Sequence, residues 1–252
     1  MKFERDYFVH YYDSDLNKRL LPTSLMKYFE DIAVLQSEEA SVGLDYYARN
    51  NVGWVLYKWD ITIHDYPRFR DIVRVITEPL AFARFYAFRS FEAASQDGKI
   101  LASGSSMWFF VDTKLRKPTK IPQEVYDGYN IGTGDIKSLE FGEAVPPSET
   151  SLHNTFSVRQ SDIDTNGHVN NIKYVEWALE VIPPEILTNY TLERIKVVYK
   201  KETMYGHTIN SCAGYYEKQD RIIFNHKISD GEVDVCILET TWKNFSMMQI
   251  TS

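Results

Sequence analysis

Three absences narrow what this 252-residue chain can be. Its two cysteines, Cys212 and Cys236, are too few for a disulfide framework or a cysteine-based metal site, so we expect a reducing compartment such as the cytoplasm. The N-terminus has no secretory apolar segment and no apolar run approaches the roughly 20 residues that span a bilayer, so no membrane partner is expected. The formal net charge of -7 argues against nucleic acid as a partner, because phosphate contacts need a basic excess.

Apolar and aromatic residues, by contrast, are plentiful. Hydrophobic residues make up 44% of the chain, which is enough to build packed cores. Aromatic residues make up 14% and recur in runs such as residues 84–88, a pattern typical of strands. The composition therefore predicts folded domains rich in β-sheet.

The two halves of the chain carry the same polar motif. Residues 10–20 align with residues 159–169 at an offset of 149 residues (13 to 162). Three identical polar pairs fall in register: Asp13 with Asp162, Asp15 with Asp164, and Asn17 with Asn166. Internal repetition of this kind indicates a duplicated structural unit, in which one copy can be specialised.

Each copy continues into a helix and then into strands. Apolar residues recur at three-to-four spacing after Pro22 and again after Asn171, which predicts one amphipathic helix in each half. Thr23 or Ser24 would cap the first helix, and Pro183-Pro184 would stop the second. Hairpin turns are expected at Asp97-Gly98 and Asp230-Gly231. The strand-like runs are 54–64, 71–78, 83–93 and 100–111 in the first half, and 192–201, 208–216, 221–228 and 233–242 in the second.

A helix followed by antiparallel strands predicts an α+β fold in which a curved sheet wraps around one central helix. With two copies, we place an N-terminal domain at 1–125 and a C-terminal domain at 152–252. The segment 126–151 has little helix or strand periodicity and is interpreted as the linker.

The two copies differ in their polar residues. The second has His168 where the first has Arg19, and we expect an uncharged residue in the first copy where the second has Glu202. Extended chain would place Asp164, Asn166 and His168 on one side, facing a pocket. Backbone N–H groups of residues 169–171, at the start of the helix, would then be available to an oxyanion. These are the elements that acyl transfer needs, although the same residue types also form ordinary turns and helix caps.

Two other chemistries are alternatives for this cluster. Asp162, Asp164 and His168 are possible metal ligands, but no second histidine or carboxylate follows at a spacing typical of zinc sites. A cysteine–histidine nucleophile has little support, because neither cysteine lies beside a matching motif.

The motif of residues 162–171, followed by Tyr174, Trp177 and Glu180, closely resembles acyl-acyl carrier protein (acyl-ACP) thioesterases, as does the later segment 199–203. The resemblance covers nearly the whole chain and implies two tandem hotdog domains, each a sheet wrapped around a helix. It also implies hydrolysis of fatty acyl-ACP to free fatty acid, which ends chain elongation in fatty acid biosynthesis. The sequence is similar to the plant fatty acyl-ACP thioesterases, and the lack of a plastid transit segment favours a bacterial member.

The resemblance places four residues at the family's catalytic positions: Asp164, Asn166, His168 and Glu202. Thr203 departs from the family pattern, since plant members commonly have cysteine there, and this weakens the case for a covalent mechanism. The hypothesis is attack by water with Glu202 as general base, Asn166 and His168 holding the water or polarising the thioester, and Asp164 orienting the His or Asn side chain. Glu202 and Asp164 could exchange roles.

The expected partner is acyl carrier protein bearing a phosphopantetheine-linked acyl chain, and no cofactor is expected. The N-terminal copy would bind the acyl chain, with Trp54, Phe85 and Trp108 as candidate lining residues. Basic clusters could dock the acidic carrier. An acyl-CoA thioesterase and a non-catalytic acyl-binding protein stay open as alternatives, as does a homodimer. The basic clusters are Arg68, Arg70 and Arg74; Lys114 to Lys120; and Arg194, Lys196, Lys200 and Lys201.

Overall fold

The computed structural model describes residues 2–132 and 141–244, and the chain divides into two compact units, Met1–Phe141 and Gly142–Ser252. The predicted linker, 126–151, therefore overlaps both units, and its central residues, 133–140, lie outside the described residues. Within the described residues, no helix is long and apolar enough to cross a bilayer.

The first unit is an antiparallel sheet with one long helix. The strands lie in the order β1-β3-β4-β5-β2, with the short β6 paired to β5. The elements are β1 (Phe3–Phe8), α1 (Pro22–Glu39), α2 (Leu44–Asn50), β2 (Val52–Ile63), β3 (Ile72–Phe82), β4 (Tyr86–Ala94), β5 (Ile100–Asp112), β6 (Lys117–Pro118) and α3 (Gln123–Gly128).

Helix α1 is buried against this sheet along its apolar stripe. The Phe29 ring lies 5.1 Å from that of Phe91 on β4 and 6.1 Å from that of Trp59 on β2, between ring centroids. At Gly104 on β5, an added Cβ would lie 3.3 Å from the Phe29 ring, so glycine there lets the sheet approach the helix closely. The predicted cap was wrong: Leu21 precedes the helix, and Thr23 and Ser24 are buried within its first turn. Proline at the first helical position explains this, because its fixed φ and missing N–H suit that place.

The second unit repeats the arrangement. Its strands lie in the order β7-β9-β10-β11-β8, which matches the order β1-β3-β4-β5-β2 of the first unit strand for strand. The elements are β7 (Leu152–Ser157), α4 (Asn171–Leu179), α5 (Pro184–Asn189), β8 (Tyr190–Tyr199), β9 (Thr208–Lys218), β10 (Arg221–Asp230) and β11 (Val233–Asn244).

Helix α4 takes the central position in this unit. Trp177 stacks on Phe156 of β7, and its carbonyl accepts a hydrogen bond of 2.9 Å from the Ser211 hydroxyl of β9. The helix ends at Leu179, sooner than the prolines predict, and Pro184 opens α5 instead. Both predicted hairpin turns are confirmed, with Gly98 at φ +88 and Gly231 at φ +59. The predicted α+β fold, a sheet around a central helix in each half, is likewise confirmed.

Candidate active site

The repeated motif forms the same turn in both units. In the second, Oδ1 of Asp164 accepts the backbone N–H of Asn166 at 2.8 Å and that of His168 at 3.3 Å. In the first, Oδ1 of Asp15 accepts the equivalent two N–H groups, both at 2.8 Å. Each aspartate therefore organises its own loop by binding the backbone of the residues that follow.

This geometry corrects one prediction. The segment is not extended: the N–H of Asp164 donates to the carbonyl of His168 at 2.8 Å, and that of Gly167 donates to the carbonyl of Asp164 at 3.1 Å. Gly167 has φ +82, a left-handed conformation that glycine adopts without steric cost. A closed turn, and not alternation along a strand, brings Asp164, Asn166 and His168 together. The Asn166 amide lies 3.5 Å from Oδ2 of Asp164.

The turn places His168 against Glu202. Nε2 of His168 lies 3.3 Å from Oε2 of Glu202, and the two side chains are 25% and 39% exposed, so water can reach both. The N–H of Val169, the next residue, donates to the carbonyl of Thr203 at 3.0 Å. This main-chain hydrogen bond joins the segment that carries His168 to the segment that carries Glu202, because Val169 directly follows the histidine and Thr203 directly follows the glutamate.

The first unit makes the matching main-chain bond with different side chains beside it. The N–H of Leu20 donates to the carbonyl of Pro67 at 2.8 Å, so Tyr66 occupies the place of Glu202, at an offset of 136 residues (66 to 202). Arg19 folds back onto Asp15, with Nη2 2.7 Å from Oδ2, and its guanidinium lies 5.3 Å from the Tyr66 ring centre. The expected uncharged counterpart of Glu202 is therefore Tyr66.

The predicted oxyanion donors are mostly already bound. Val169 donates to Thr203, and the N–H of Asn170 donates to the carbonyl of Asp162 at 2.9 Å. The Asn170 side chain caps helix α4 by accepting the N–H of Ile172 at 2.9 Å. Asn171, the third predicted donor, is the first residue of α4, where a backbone N–H has no partner within the helix. One donor at the helix N-terminus therefore remains for a developing negative charge.

Asp162, the other repeated acid, is a structural residue. Its side chain is fully buried, and it accepts hydrogen bonds from the Arg159 backbone at 2.8 Å and from the Arg159 guanidinium at 3.0 Å. Burial alone would raise the pKa of Asp162, but the bonds and charge of Arg159 and the charge of Lys173 lower it overall. These contacts already satisfy the carboxylate, which leaves it no direct part in catalysis.

Neither cysteine is suited to act as a nucleophile. Burial raises the pKa of the Cys212 and Cys236 thiols, which disfavours the reactive thiolate. Thr203 is buried, and its hydroxyl donates to Oδ2 of Asp230 at 2.6 Å. Across residues 2–132 and 141–244, no group of three or more His, Cys, Asp or Glu side chains could hold a metal ion.

Sequence reasoning missed the surroundings of Thr203. Its N–H donates to the Tyr174 hydroxyl at 3.1 Å, and Asp230, which accepts its hydroxyl, also contacts Nδ1 of His207 at 2.6 Å. In the sequence, Tyr174 is part of the motif and Asp230 is a turn residue, and neither pattern indicates a contact with Thr203. No local spacing signals a contact between residues 27 positions apart.

Two family models match the chain. Residues 1–129 match the acyl-ACP thioesterase N-terminal domain, and residues 146–244 match the acyl-ACP thioesterase C-terminal domain.

Two curated relatives from plants are similar to the chain. A chloroplastic acyl-[acyl-carrier-protein] hydrolase of Cuphea viscosissima is 26% identical over 79% of this chain and 52% of its own length. A chloroplastic oleoyl-acyl carrier protein thioesterase of Coriandrum sativum is 23% identical over 88% of this chain and 65% of its own length. The chain thus spans between half and two thirds of the length of these two relatives.

Two solved structures are similar along nearly the whole chain. One, assigned as an oleoyl thioesterase from Lactobacillus plantarum, has a TM-score of 0.91 and 26% identity, covering 97% of this chain and 96% of that one. The 12:0-ACP thioesterase from Umbellularia californica has a TM-score of 0.84 and 20% identity, covering 96% and 94%. The second similarity establishes the shared fold alone.

Proposed function

Because the chain belongs to the acyl-ACP thioesterase family, we propose that it hydrolyses the thioester of fatty acyl-ACP and releases free fatty acid, thereby ending chain elongation. The observation that carries this proposal is the 3.3 Å approach of His168 to Glu202 beside the turn that Asp164 organises. The equivalent place in the first unit holds Arg19 and Tyr66, which offer neither a base nor an imidazole. We therefore assign hydrolysis to the second unit.

In the proposed reaction, water attacks the thioester carbonyl. Glu202 accepts a proton from the water as its oxygen bonds to carbon, and the carbonyl electron pair moves onto oxygen. The N–H of Asn171 would stabilise that oxyanion, while Asn166 and His168 hold the water or polarise the carbonyl. The intermediate then collapses, the C–S bond breaks, and the proton passes from Glu202 to the departing phosphopantetheine sulfur.

Glu202 suits the base better than Asp164 does. One oxygen of Asp164 already accepts two backbone N–H groups, so protonating this carboxylate would weaken the turn. The Glu202 side chain is more than a third exposed and lies within reach of the imidazole. Separations in a substrate-free site often shorten when substrate binds, so 3.3 Å is compatible with the role.

We assign acyl-chain binding to the first unit. Trp54 on β2 packs edge-on against Phe110 at 4.8 Å between ring centroids, and it lies against a buried cluster that includes Phe82, Val125 and Tyr129. Phe85 and Trp108 are partly buried, as Trp54 is. Of the three candidate lining residues, we favour Trp54 because it packs against this buried apolar cluster.

Carrier docking would use exposed basic residues. Lys196 is a poor candidate, because its ammonium lies 2.8 Å from Glu239 and both side chains are only 14% exposed. Arg68 and Arg70, in contrast, are exposed, as are Lys117 and Lys120, and Lys200 and Lys201 of the third cluster are exposed too. Each basic cluster therefore offers exposed cations to an acidic carrier, and in the third these are Lys200 and Lys201.

Steady-state hydrolysis of one acyl chain, presented on carrier protein and on CoA, tests the proposal. We expect turnover of the carrier thioester with the higher kcat/KM, and loss of turnover in folded His168→Ala. Preference for the CoA thioester would instead establish an acyl-CoA thioesterase. Acyl binding without turnover would establish a non-catalytic acyl-binding protein.

A further inference from the structure

Thr203, next to the proposed base, is held from three sides. Its N–H donates to the Tyr174 hydroxyl of helix α4 at 3.1 Å, and its carbonyl accepts from Val169 at 3.0 Å. Its hydroxyl donates to Asp230 at the end of β10 at 2.6 Å. Every polar group of this buried residue therefore has a partner in a different segment of the unit, which fixes the connection between β8 and β9.

Asp230 joins two residues of that segment. Its Oδ2 accepts the Thr203 hydroxyl and also lies 2.6 Å from Nδ1 of His207, at the far end of the same connection. Burial alone would raise the pKa of Asp230, but the hydrogen bonds from Thr203 and His207 and the charges of His207 and Lys201 lower it. One ionised carboxylate thus ties the connection to the hairpin that ends β10.

This tie bears on the proposed active site through the main chain. The Thr203 carbonyl binds the N–H of Val169, and these two residues directly follow the candidate base and the imidazole. We propose that Asp230 and His207 are positioning residues: by holding Thr203 they keep the base within reach of the imidazole. The inference rests on the proposed function, since it assigns the pair a part in thioester hydrolysis.

The first unit shows that the fold does not require this tie. Pro67 occupies the place of Thr203, and it has neither a hydroxyl nor an N–H to donate. Asp71 occupies the place of His207. The Asp71 carbonyl accepts the N–H of Val9, and the His207 carbonyl accepts the N–H of Val158 in the same way. The turn forms there without a Thr–Asp–His network, so the network in the second unit serves more than folding.

A matched pair at Thr203 isolates the hydrogen bond. Thr203→Val keeps the buried volume and removes the hydroxyl, whereas Thr203→Ser keeps the hydroxyl. We expect Thr203→Val and Asp230→Asn to lower kcat for acyl-ACP by about 10- to 100-fold with little change in KM, the cost of a small misplacement of a catalytic group. Thr203→Ser should retain kcat within about 2-fold. Glu193→Gln is the control, because it removes a carboxylate that binds Arg221 elsewhere in this unit.

Two further measurements separate positioning from general destabilisation. In a Glu202→Gln background, Asp230→Asn should cause no additional loss of kcat, because both changes act on the same step. A crystal structure of Thr203→Val should show the Glu202–His168 separation lengthened from 3.3 Å. That structure tests positioning even if wild-type protein hydrolyses no acyl-ACP, the outcome by which the proposed function itself would fail.

Three results would overturn the inference. The first is unchanged kcat in folded Thr203→Val and Asp230→Asn. The second is a further loss from Asp230→Asn in the Glu202→Gln background. The third is an unaltered 3.3 Å separation in the Thr203→Val crystal.

Discussion

The turns at residues 10–20 and 159–169 have the same backbone and different chemistry. Both are closed by an aspartate that binds two backbone N–H groups, and both place a left-handed residue before the variable side chain, Lys18 at φ +60 and Gly167 at φ +82. In the first turn that side chain, Arg19, is long enough to return to Asp15. In the second, His168 instead lies against Glu202.

The difference shows how one turn can carry an arginine–aspartate ion pair and the other an imidazole–carboxylate pair without a change of fold. Arg19 uses its planar guanidinium to neutralise Asp15 and to cover the Tyr66 ring. That pairing engages both charged side chains with one another. A shorter side chain and a carboxylate in place of Tyr66 suffice to create an imidazole–carboxylate pair on the same backbone.

The largest expected effect comes from placing the arginine of the first turn at the equivalent position of the second turn. In His168→Arg, the guanidinium should fold back onto Asp164 and leave Glu202 without its imidazole. We expect kcat for acyl-ACP to fall by about 100- to 10,000-fold, the range attributed to a positioned acid or base. The reciprocal Arg19→His, in the first unit, should leave kcat per folded molecule nearly unchanged. Equal losses in the two variants would remove the distinction between the units.

A second prediction contrasts the buried basic residues of equivalent strands, Arg89 on β4 and His226 on β10. Burial lowers the pKa of His226 from 6.5 to about 3, so the folded unit holds it neutral. In the unfolded chain this histidine binds a proton below pH 6.5, whereas in the folded chain it stays neutral down to about pH 3. Acid therefore favours the unfolded chain, and the free energy of unfolding decreases as the pH falls below 6.5. At about pH 4.5 this linkage costs the second unit about 3 kcal/mol, whereas Arg89 stays charged throughout and adds no such dependence.

Denaturant unfolding between about pH 7 and pH 4.5 measures this linkage. Between these two pH values, the free energy of unfolding of His226→Gln should decrease by about 3 kcal/mol less than that of the wild type. His153→Gln, at an exposed position on β7, is the matched control and should keep the wild-type slope. An unaltered slope in His226→Gln would contradict a neutral buried imidazole.

The paired asparagines give a smaller effect on activity. Both Asn166 and Asn17 are exposed, and both donate their backbone N–H to the turn aspartate, which alanine also allows. Asn166→Ala should lower kcat by about 10-fold through loss of one polar contact to water or thioester, while Asn17→Ala should have no measurable effect. Turnover assays at saturating acyl-ACP compare them, and an unaffected Asn166→Ala would exclude its side chain from the reaction.

The smallest effect concerns the left-handed residue itself. Gly167→Ala should destabilise the second unit by about 1 kcal/mol, since a Cβ would meet no atom within 4 Å and the cost is conformational alone. Lys18→Ala should leave stability unchanged within about 0.5 kcal/mol, because the first unit already holds a non-glycine residue there. Thermal unfolding of both variants provides the comparison. A larger cost for Lys18→Ala would show that the two turns are strained differently.

The sequence predicted most of the fold because duplication and apolar spacing are local signals. The order of helices and strands and both hairpin turns follow from motifs visible along the chain, whereas Glu202 was named as a partner of His168 only through the family resemblance. Errors arose where local rules compete. Pro22 set the start of α1 ahead of the polar caps Thr23 and Ser24, and Gly167 closed a turn where alternation suggested extended chain.

Other features of the site could not be predicted from spacing. Tyr66 matches Glu202 at an offset of 136 residues, although the turns themselves align at 149, so a fixed-offset comparison misses it. The bond from Thr203 to Asp230 joins residues that only strand pairing brings together. Likewise, the hydrogen bonds that occupy the N–H groups of Val169 and Asn170 depend on tertiary partners.

The turnover of Glu202→Gln on acyl-ACP tests the division between the two units most directly. Glutamine preserves the size and much of the hydrogen bonding of glutamate but cannot accept a proton from water. We predict that kcat falls by about 100- to 10,000-fold in this variant, while Tyr66→Phe, at the matching place in the first unit, keeps nearly wild-type turnover. A Glu202→Gln protein that hydrolyses acyl-ACP at close to the wild-type rate would contradict the account.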